Sequence, residues 1–397
     1  MTASTQLPKG FKLATAQAGF KYMDRADLAL IFSEKPAVCA ALFTTNLFQA
    51  APIKVARANL EKTSGIRALL INAGQANACT GDTGISNCLE TLRILADLLG
   101  INPEDILPAS TGVIGDHLKM DLFENNLPRL VEKLGLSTGL EAARAIMTTD
   151  TFPKTSSAEA NLGSGRVGFW GMAKGAGMIC PNMATMLGFI LTDLRIDKEL
   201  WQTIVSDSVE GTFNALTIDG DTSTNDCVLA LAGGESGIEI SGDEDLEKAV
   251  SALDKVCSEL AYEIVRDAEG GTRVLHIEVT GARDKAEARL AAGAVGNSPL
   301  VKTAMYGADP NWGRIVAALG RSGALFNPEK VRVRLAGVEI FSSGRPVEMD
   351  RDAVFKPLLK ARDINIQIDL GAGEGKFTLL ASDLTEKYIE INARYRT

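Results

Sequence analysis

Lys174-Gly-Ala-Gly-Met-Ile-Cys-Pro-Asn-Met-Ala-Thr-Met-Leu187 sets a glycine-rich stretch and Pro181 ahead of Thr185, which opens directly into the apolar run Met186-Leu-Gly-Phe-Ile-Leu191. This reads as a loop that delivers a hydroxyl to the head of a buried strand. A threonine at such a junction is ordinarily a strand residue, suited by its β-branch to a pleated surface. It becomes a nucleophile only beside a base, and one such base is its own α-amine, freed if the Ala184–Thr185 peptide bond is cut. The reference pKa of an α-amine, ~7.7–8.0, suits it to take the hydroxyl proton near neutrality.

The stretch resembles the self-cleavage motif of the ornithine acetyltransferase family, the arginine-biosynthesis enzymes that move acetyl from N-acetylornithine to glutamate. Six further segments carry the resemblance nearly end to end. They are Asn72-Ala-Gly-Gln-Ala-Asn-Ala-Cys-Thr-Gly81, Ser110-Thr-Gly-Val-Ile-Gly115, Met147-Thr-Thr-Asp-Thr-Phe-Pro-Lys154, Asp219-Gly-Asp-Thr-Ser-Thr-Asn-Asp226, Gly307-Ala-Asp-Pro-Asn-Trp-Gly-Arg314 and Ile391-Asn-Ala-Arg-Tyr-Arg-Thr397.

The resemblance implies an α/β fold, a layered αββα-type sandwich around the N-terminal nucleophile with a smaller C-terminal lobe. It implies self-cleavage between Ala184 and Thr185, giving an α chain of residues 1–184 and a β chain from 185 to 397 that assemble as α2β2. Thr185 would carry the acetyl group, and Thr111 and Gly112 would form the oxyanion hole. Thr148, Lys174, Thr185, Glu269, Asn392 and Thr397 would bind substrate, the last two by folding back into the cleft. No metal or cofactor is implied, with acetyl-CoA left open as a second acetyl donor. A related aminopeptidase family gives water the acceptor's role, so a hydrolase and an uncleaved, non-catalytic homologue are the alternatives. Departures from the family pattern include Ala176, Cys180 and Gln75, Gly271-Thr-Arg273, and Arg394 where an acidic residue is common; Arg394 is expected to bring positive charge near the substrate carboxylates.

Composition narrows the function classes independently. The chain has 397 residues, 46% of them apolar, enough for a large core in two or three lobes. A net charge of −9 without a basic run argues against nucleic acid and anionic membranes, and points to a small substrate. The six cysteines form no Cys-x-x-Cys pair, so reduced, mostly buried thiols are expected. His117 and His276 are the only histidines, which excludes a three-histidine metal site. The N-terminus lacks the basic start and apolar core of a signal peptide, and no window approaches the ~18 apolar residues of a membrane span, so a cytoplasmic protein is expected.

Along the chain, Leu28–Ser33, Val38–Phe43 and Ile66–Ile71 read as buried strands, and Ile85, Leu89, Leu92, Leu95 and Leu99 as a helix stopped by Gly100. Ser110–Gly115 reads as a small-residue loop whose backbone donors could face a ligand. Gly163-Ser-Gly-Arg-Val-Gly168 fits a dinucleotide pattern but precedes a strand, so it reads as a turn. Thr217–Asp226 reads as a turn lining the cleft in preference to a cation loop. Asp243–Asp267 is the clearest long helix, with Ser241 as its expected cap. Residues 185–281 would complete the sandwich. The smaller α/β lobe is expected from 282, with Val331–Phe341 folding at Ala336-Gly337.

Overall fold

The computed structural model describes residues 7–180 and 186–394. In chain order the elements of the first part are β1 (Phe11–Ala16), β2 (Leu28–Phe43), α1 (Ala51–Lys62), β3 (Ile66–Gln75), α2 (Gly81–Leu99), β4 (Ile106–Val113), α3 (Met120–Glu132), α4 (Gly139–Ala145), β5 (Lys154–Leu162) and β6 (Gly165–Lys174). Then come β7 (Leu187–Thr192), α5 (Lys198–Gly211), β8 (Leu216–Thr217), β9 (Cys227–Ala232), α6 (Asp243–Arg266) and β10 (Val274–Ala282). The remainder is α7 (Lys285–Gly296), α8 (Pro299–Tyr306), α9 (Trp312–Gly320), β11 (Arg332–Leu335), β12 (Val338–Ser342), β13 (Arg345–Pro346), α10 (Arg351–Leu358), β14 (Asp363–Asp369), β15 (Gly375–Ser382) and α11 (Glu386–Arg394).

The two apolar runs expected as separate strands are one 16-residue strand, β2, which carries the chain between two layers. Its first half pairs with β1 and β3, and β3 pairs in parallel with β4. The pairing shifts register between Phe32 and Ala37, and the second half then pairs with β9, which continues through β7 and β6 to β5. The resulting sheet doubles over on itself. Leu13, Ile31, Leu69 and Ile71 from one half meet Met172, Phe189, Leu191 and Leu229 from the other in a single buried cluster. Outside the first half, Leu28, Leu30 and Leu70 pack against Leu92, Leu95, Phe123 and Leu127 of α2 and α3. Outside the second, Phe169, Ile190 and Val228 pack against Trp201 and Val205 of α5 and Leu253, Val256 and Leu260 of α6. This is the αββα sandwich. Strands buried on both faces read as unbroken apolar runs because each successive side chain enters a different dry layer.

The second sheet has the order β13-β12-β11-β14-β10-β15-β8, with α7 to α10 on one face. Its strand β10, paired between β14 and β15, spans residues 274–282, upstream of the boundary expected at 282, and β8 joins the sheet's edge from residues 216–217. The fold at Ala336-Gly337 is a tight hairpin, both residues having positive φ, 49° and 84°. His276 stands on the open face, its Nε2 2.8 Å from Asp363 Oδ1.

Two local expectations change. Gly242, not Ser241, is the N-cap of α6, without a side-chain cap bond; the helix receives Asp243, Glu244 and Asp245 in its first turn instead. Residues 110–113 are the end of β4 and not a free loop, because their backbone pairs with β3 from Asn72 to Gln75. No helix among the described residues is long and apolar enough to cross a membrane.

Candidate active site

The site forms where β4 and β6 end and β7 begins. Parallel pairing with β3 sets Thr111 beside Ala73 and Gly112 beside Gly74. Gly112 has φ 130°, and a Cβ there would overlap the Gly74 backbone, so only glycine fits this approach. Asn225 fixes the end of the strand by donating to the Ala76 carbonyl at 2.6 Å and the Ser110 carbonyl at 2.9 Å.

Lys174, the last residue of β6, is 4% exposed. Its Nζ donates to Thr148 Oγ1 at 2.7 Å and to Thr111 Oγ1 at 3.2 Å. Across the ladder it faces Leu187, so the start of β7 lies alongside. The backbone N–H of Met186 donates to Asp226 Oδ1 at 3.0 Å. Burial pushes the Asp226 carboxyl well above the usual carboxylate range, against the pull of that N–H and of Lys174.

Beneath these groups lies an ion cluster cut off from solvent. Lys154 Nζ is 2.7 Å from Asp150 Oδ1 and 2.6 Å from Asp267 Oδ2, with side-chain exposure of 2% or less for all three. Asp150 also accepts from the backbone of Gly175 at 2.7 Å and Thr148 at 3.0 Å, while Asp267 accepts from Thr151. Burial alone would raise the Asp150 pKa, but the charges of Lys154 and Lys174 and the donated hydrogen bonds bring it down to about 2. The cluster therefore ties the 148–151 turn, the loop after β6 and the end of α6 into one unit.

Glu269, just past α6, donates its N–H to the Ala176 carbonyl at 2.8 Å, and a Cβ on Gly177 would come within 2.6 Å of its carboxylate. Asn392 on α11 donates to Glu269 Oε2 at 2.7 Å. Tyr388, one turn earlier, donates to Asp219 Oδ2 at 3.2 Å. Asp219 in turn accepts the backbone N–H groups of Met178 (2.6 Å), Ile179 (2.8 Å) and Asp221 (3.3 Å), and Met178 adopts φ 58°. The aspartate loop thus works as a turn that clamps residues 178–179. Among the described residues no cluster of His, Cys, Asp and Glu is arranged to hold a metal ion.

Thr111, Gly112, Thr148, Lys174, Glu269 and Asn392 line one cavity of about 350 Å³, together with Met178, Asp219, Asn225 and Tyr388. That volume suits a small amino-acid derivative. Thr185, Ala184 and Thr397 lie outside the described residues. Arg394 does not line the cavity; it is exposed and pairs with Glu390 at 3.4 Å, so its charge is spent on its own helix. Sequence reasoning passed over Asp150, Lys154, Asp267 and Tyr388, and read Asp219 only as part of a turn lining the cleft. The signal for two of them was present, since Asp150 and Lys154 stand four residues apart inside the segment Met147–Lys154.

Residues 12–397 match the sequence profile of the ArgJ family. The chain belongs to the ArgJ family. A relative from Nitratidesulfovibrio vulgaris, named arginine biosynthesis bifunctional protein ArgJ, is 54% identical over 98% of this chain and 99% of its own length. A Synechocystis ArgJ of the same name is 44% identical over 98% and 97%. Among solved structures, the ArgJ of Bacillus halodurans aligns at TM-score 0.51 and 39% identity, covering 53% of this chain and 100% of the solved one. An ornithine acetyltransferase from Mycobacterium tuberculosis, solved with ornithine, aligns at TM-score 0.40 and 38% identity over 44% of this chain and 92% of its own.

Proposed function

We propose that this chain is an acyltransferase of arginine biosynthesis that moves acetyl from N-acetylornithine to glutamate through an acetyl ester on Thr185. The observation that carries the reading is the cavity itself: two threonine hydroxyls held by a buried lysine face a carboxylate braced by Asn392, beside the strand that begins two residues after Thr185. Family membership supports the pathway, as the curated relatives are named for arginine biosynthesis.

In this reading the α-amine of Thr185 accepts the hydroxyl proton as Oγ1 attacks the acetyl carbonyl. The oxygen becomes an alkoxide and is met by the Thr111 hydroxyl and the Gly112 N–H, where a donor contributes ~3–4 kcal/mol to lowering the barrier. The intermediate collapses, the C–N bond breaks, and ornithine leaves with the proton from the α-amine. Glutamate then enters; its amine attacks the ester and regenerates the Thr185 hydroxyl. Lys174, Thr148, Glu269, Asn392 and Thr397 hold the common amino-acid portion of both substrates. No cofactor is required.

The α-amine arises when Thr185 Oγ1 attacks the Ala184 carbonyl and water opens the resulting ester, leaving a carboxylate on Ala184. Support for two chains comes from the lengths of the relatives. Curated proteins match along nearly their whole length, whereas the solved Bacillus halodurans chain is fully covered by 53% of this one. The processed halves assemble as α2β2 in the cytoplasm, and the bifunctional name of the relatives favours acetyl-CoA as a second donor.

The test is an assay of purified protein with N-acetylornithine alone, N-acetylornithine plus glutamate, and glutamate plus acetyl-CoA. N-acetylglutamate in the second mixture is expected. Ornithine and acetate released equally with and without glutamate would make the protein a hydrolase. Product in the third mixture decides the bifunctional role.

A further inference from the structure

The contact between Lys174 and Thr111 has a consequence for the direction of one hydrogen atom, given the reading above that Thr111 and Gly112 receive the acetyl oxygen. Lys174 Nζ is 3.2 Å from Thr111 Oγ1 and 2.7 Å from Thr148 Oγ1. An ammonium donates and has no lone pair to accept. Each threonine oxygen therefore accepts from Lys174, and each hydroxyl hydrogen is directed elsewhere. Both residues line the cavity, which gives those hydrogens a place to point. We propose that Lys174 is a positioning residue for Thr111: by occupying an acceptor site on its hydroxyl, Lys174 turns the Thr111 hydrogen into the cavity toward the developing oxyanion.

The charged state of Lys174 is what enforces this. Facing it are Asp150 from the turn before β5, Lys154 from the head of β5, Asp226 from the loop before β9, and Glu269 from beyond α6. Burial lowers the Lys174 pKa and Lys154 adds to that effect, while the three carboxyl groups oppose it. A neutral amine would offer a lone pair. The Thr111 hydroxyl could then donate to Lys174, and the oxyanion would lose that donor.

The experiment is a double-mutant cycle on kcat, counted per cleaved chain, with native protein, Lys174→Met, Thr111→Val and the double variant. If Lys174 acts through Thr111, Lys174→Met lowers kcat by roughly tenfold or more in the native background and by less than about threefold when Thr111 is already valine. Equal losses in both backgrounds overturn the proposal and leave Lys174 with its substrate-holding role alone. If Lys174→Met fails to fold or mature, the pH dependence of native and Thr111→Val protein decides. Native kcat should fall at alkaline pH with loss of one proton below the ordinary lysine range, and the valine variant should lack that fall; the same fall in both overturns the proposal. Native protein that transfers no acetyl at all would instead refute the functional reading.

Discussion

Thr111 can be tested by removing one hydroxyl. If its hydrogen serves the oxyanion, Thr111→Ala should lower kcat by roughly 10²–10³-fold with KM nearly unchanged, because that bond strengthens only in the transition state. If it merely ends a strand, the variant should lose stability and keep its turnover; steady-state kinetics beside thermal melting separates the two. Thr185→Ala should remain one band on a denaturing gel, and two fragments from that variant would mean that the cut is made by another agent. Of the residues that line the cavity, Thr111, Gly112, Thr148, Lys174, Glu269 and Asn392 were legible from sequence through the family resemblance, whereas Tyr388 lies outside every segment that carries it. Asp150 and Lys154 were in such a segment, but nothing in the sequence says that their charges meet Asp267, 113 residues from Lys154, inside a dry layer.

Among elements, the ion cluster and α11 lie at opposite extremes of burial. Lys154→Met should destabilise by about 3–5 kcal/mol, since it leaves two carboxylates buried without their shared cation; urea unfolding measures it. The Asp150 pKa is depressed to about 2, so its contribution to stability is present above the ordinary aspartate range and is lost as pH falls toward 2. Lys154→Met should narrow that acid window, measurable as unfolding against pH. Helix α11 has no buried residue, yet it brings Tyr388 and Asn392 to the cavity. Deleting residues 386–397 should therefore leave the melting temperature nearly unchanged and raise KM sharply. The long helices and apolar strands were readable from periodicity. That β2 is one strand was not, because the polar segment Ser33–Pro36 looks like a turn from sequence, whereas here the strand continues through it with a shift of register between layers.

For the whole molecule, the proposed cut between residues 184 and 185 would divide a sheet and not two domains. Strand β7 is hydrogen-bonded to β6 on one side of the cut and to β9 on the other, and β9 pairs back to β2. Both apolar clusters of the sandwich on either side of these strands mix residues from before and after the cut. The fragments should accordingly copurify and elute together, separating only in denaturant; a β chain that elutes alone in native buffer would contradict this. Sequence suggested the lobes but not their interleaving, since strand order depends on pairing between distant residues. Helix α11 also sets a timetable. The ribosome releases β4, β6, the aspartate loop and α6 in turn, but Tyr388 and Asn392 on α11 follow long after α6. A nascent chain can therefore assemble its sandwich while one wall of its pocket is still untranslated, and a chain ended just before Tyr388 should fold yet bind its substrates poorly.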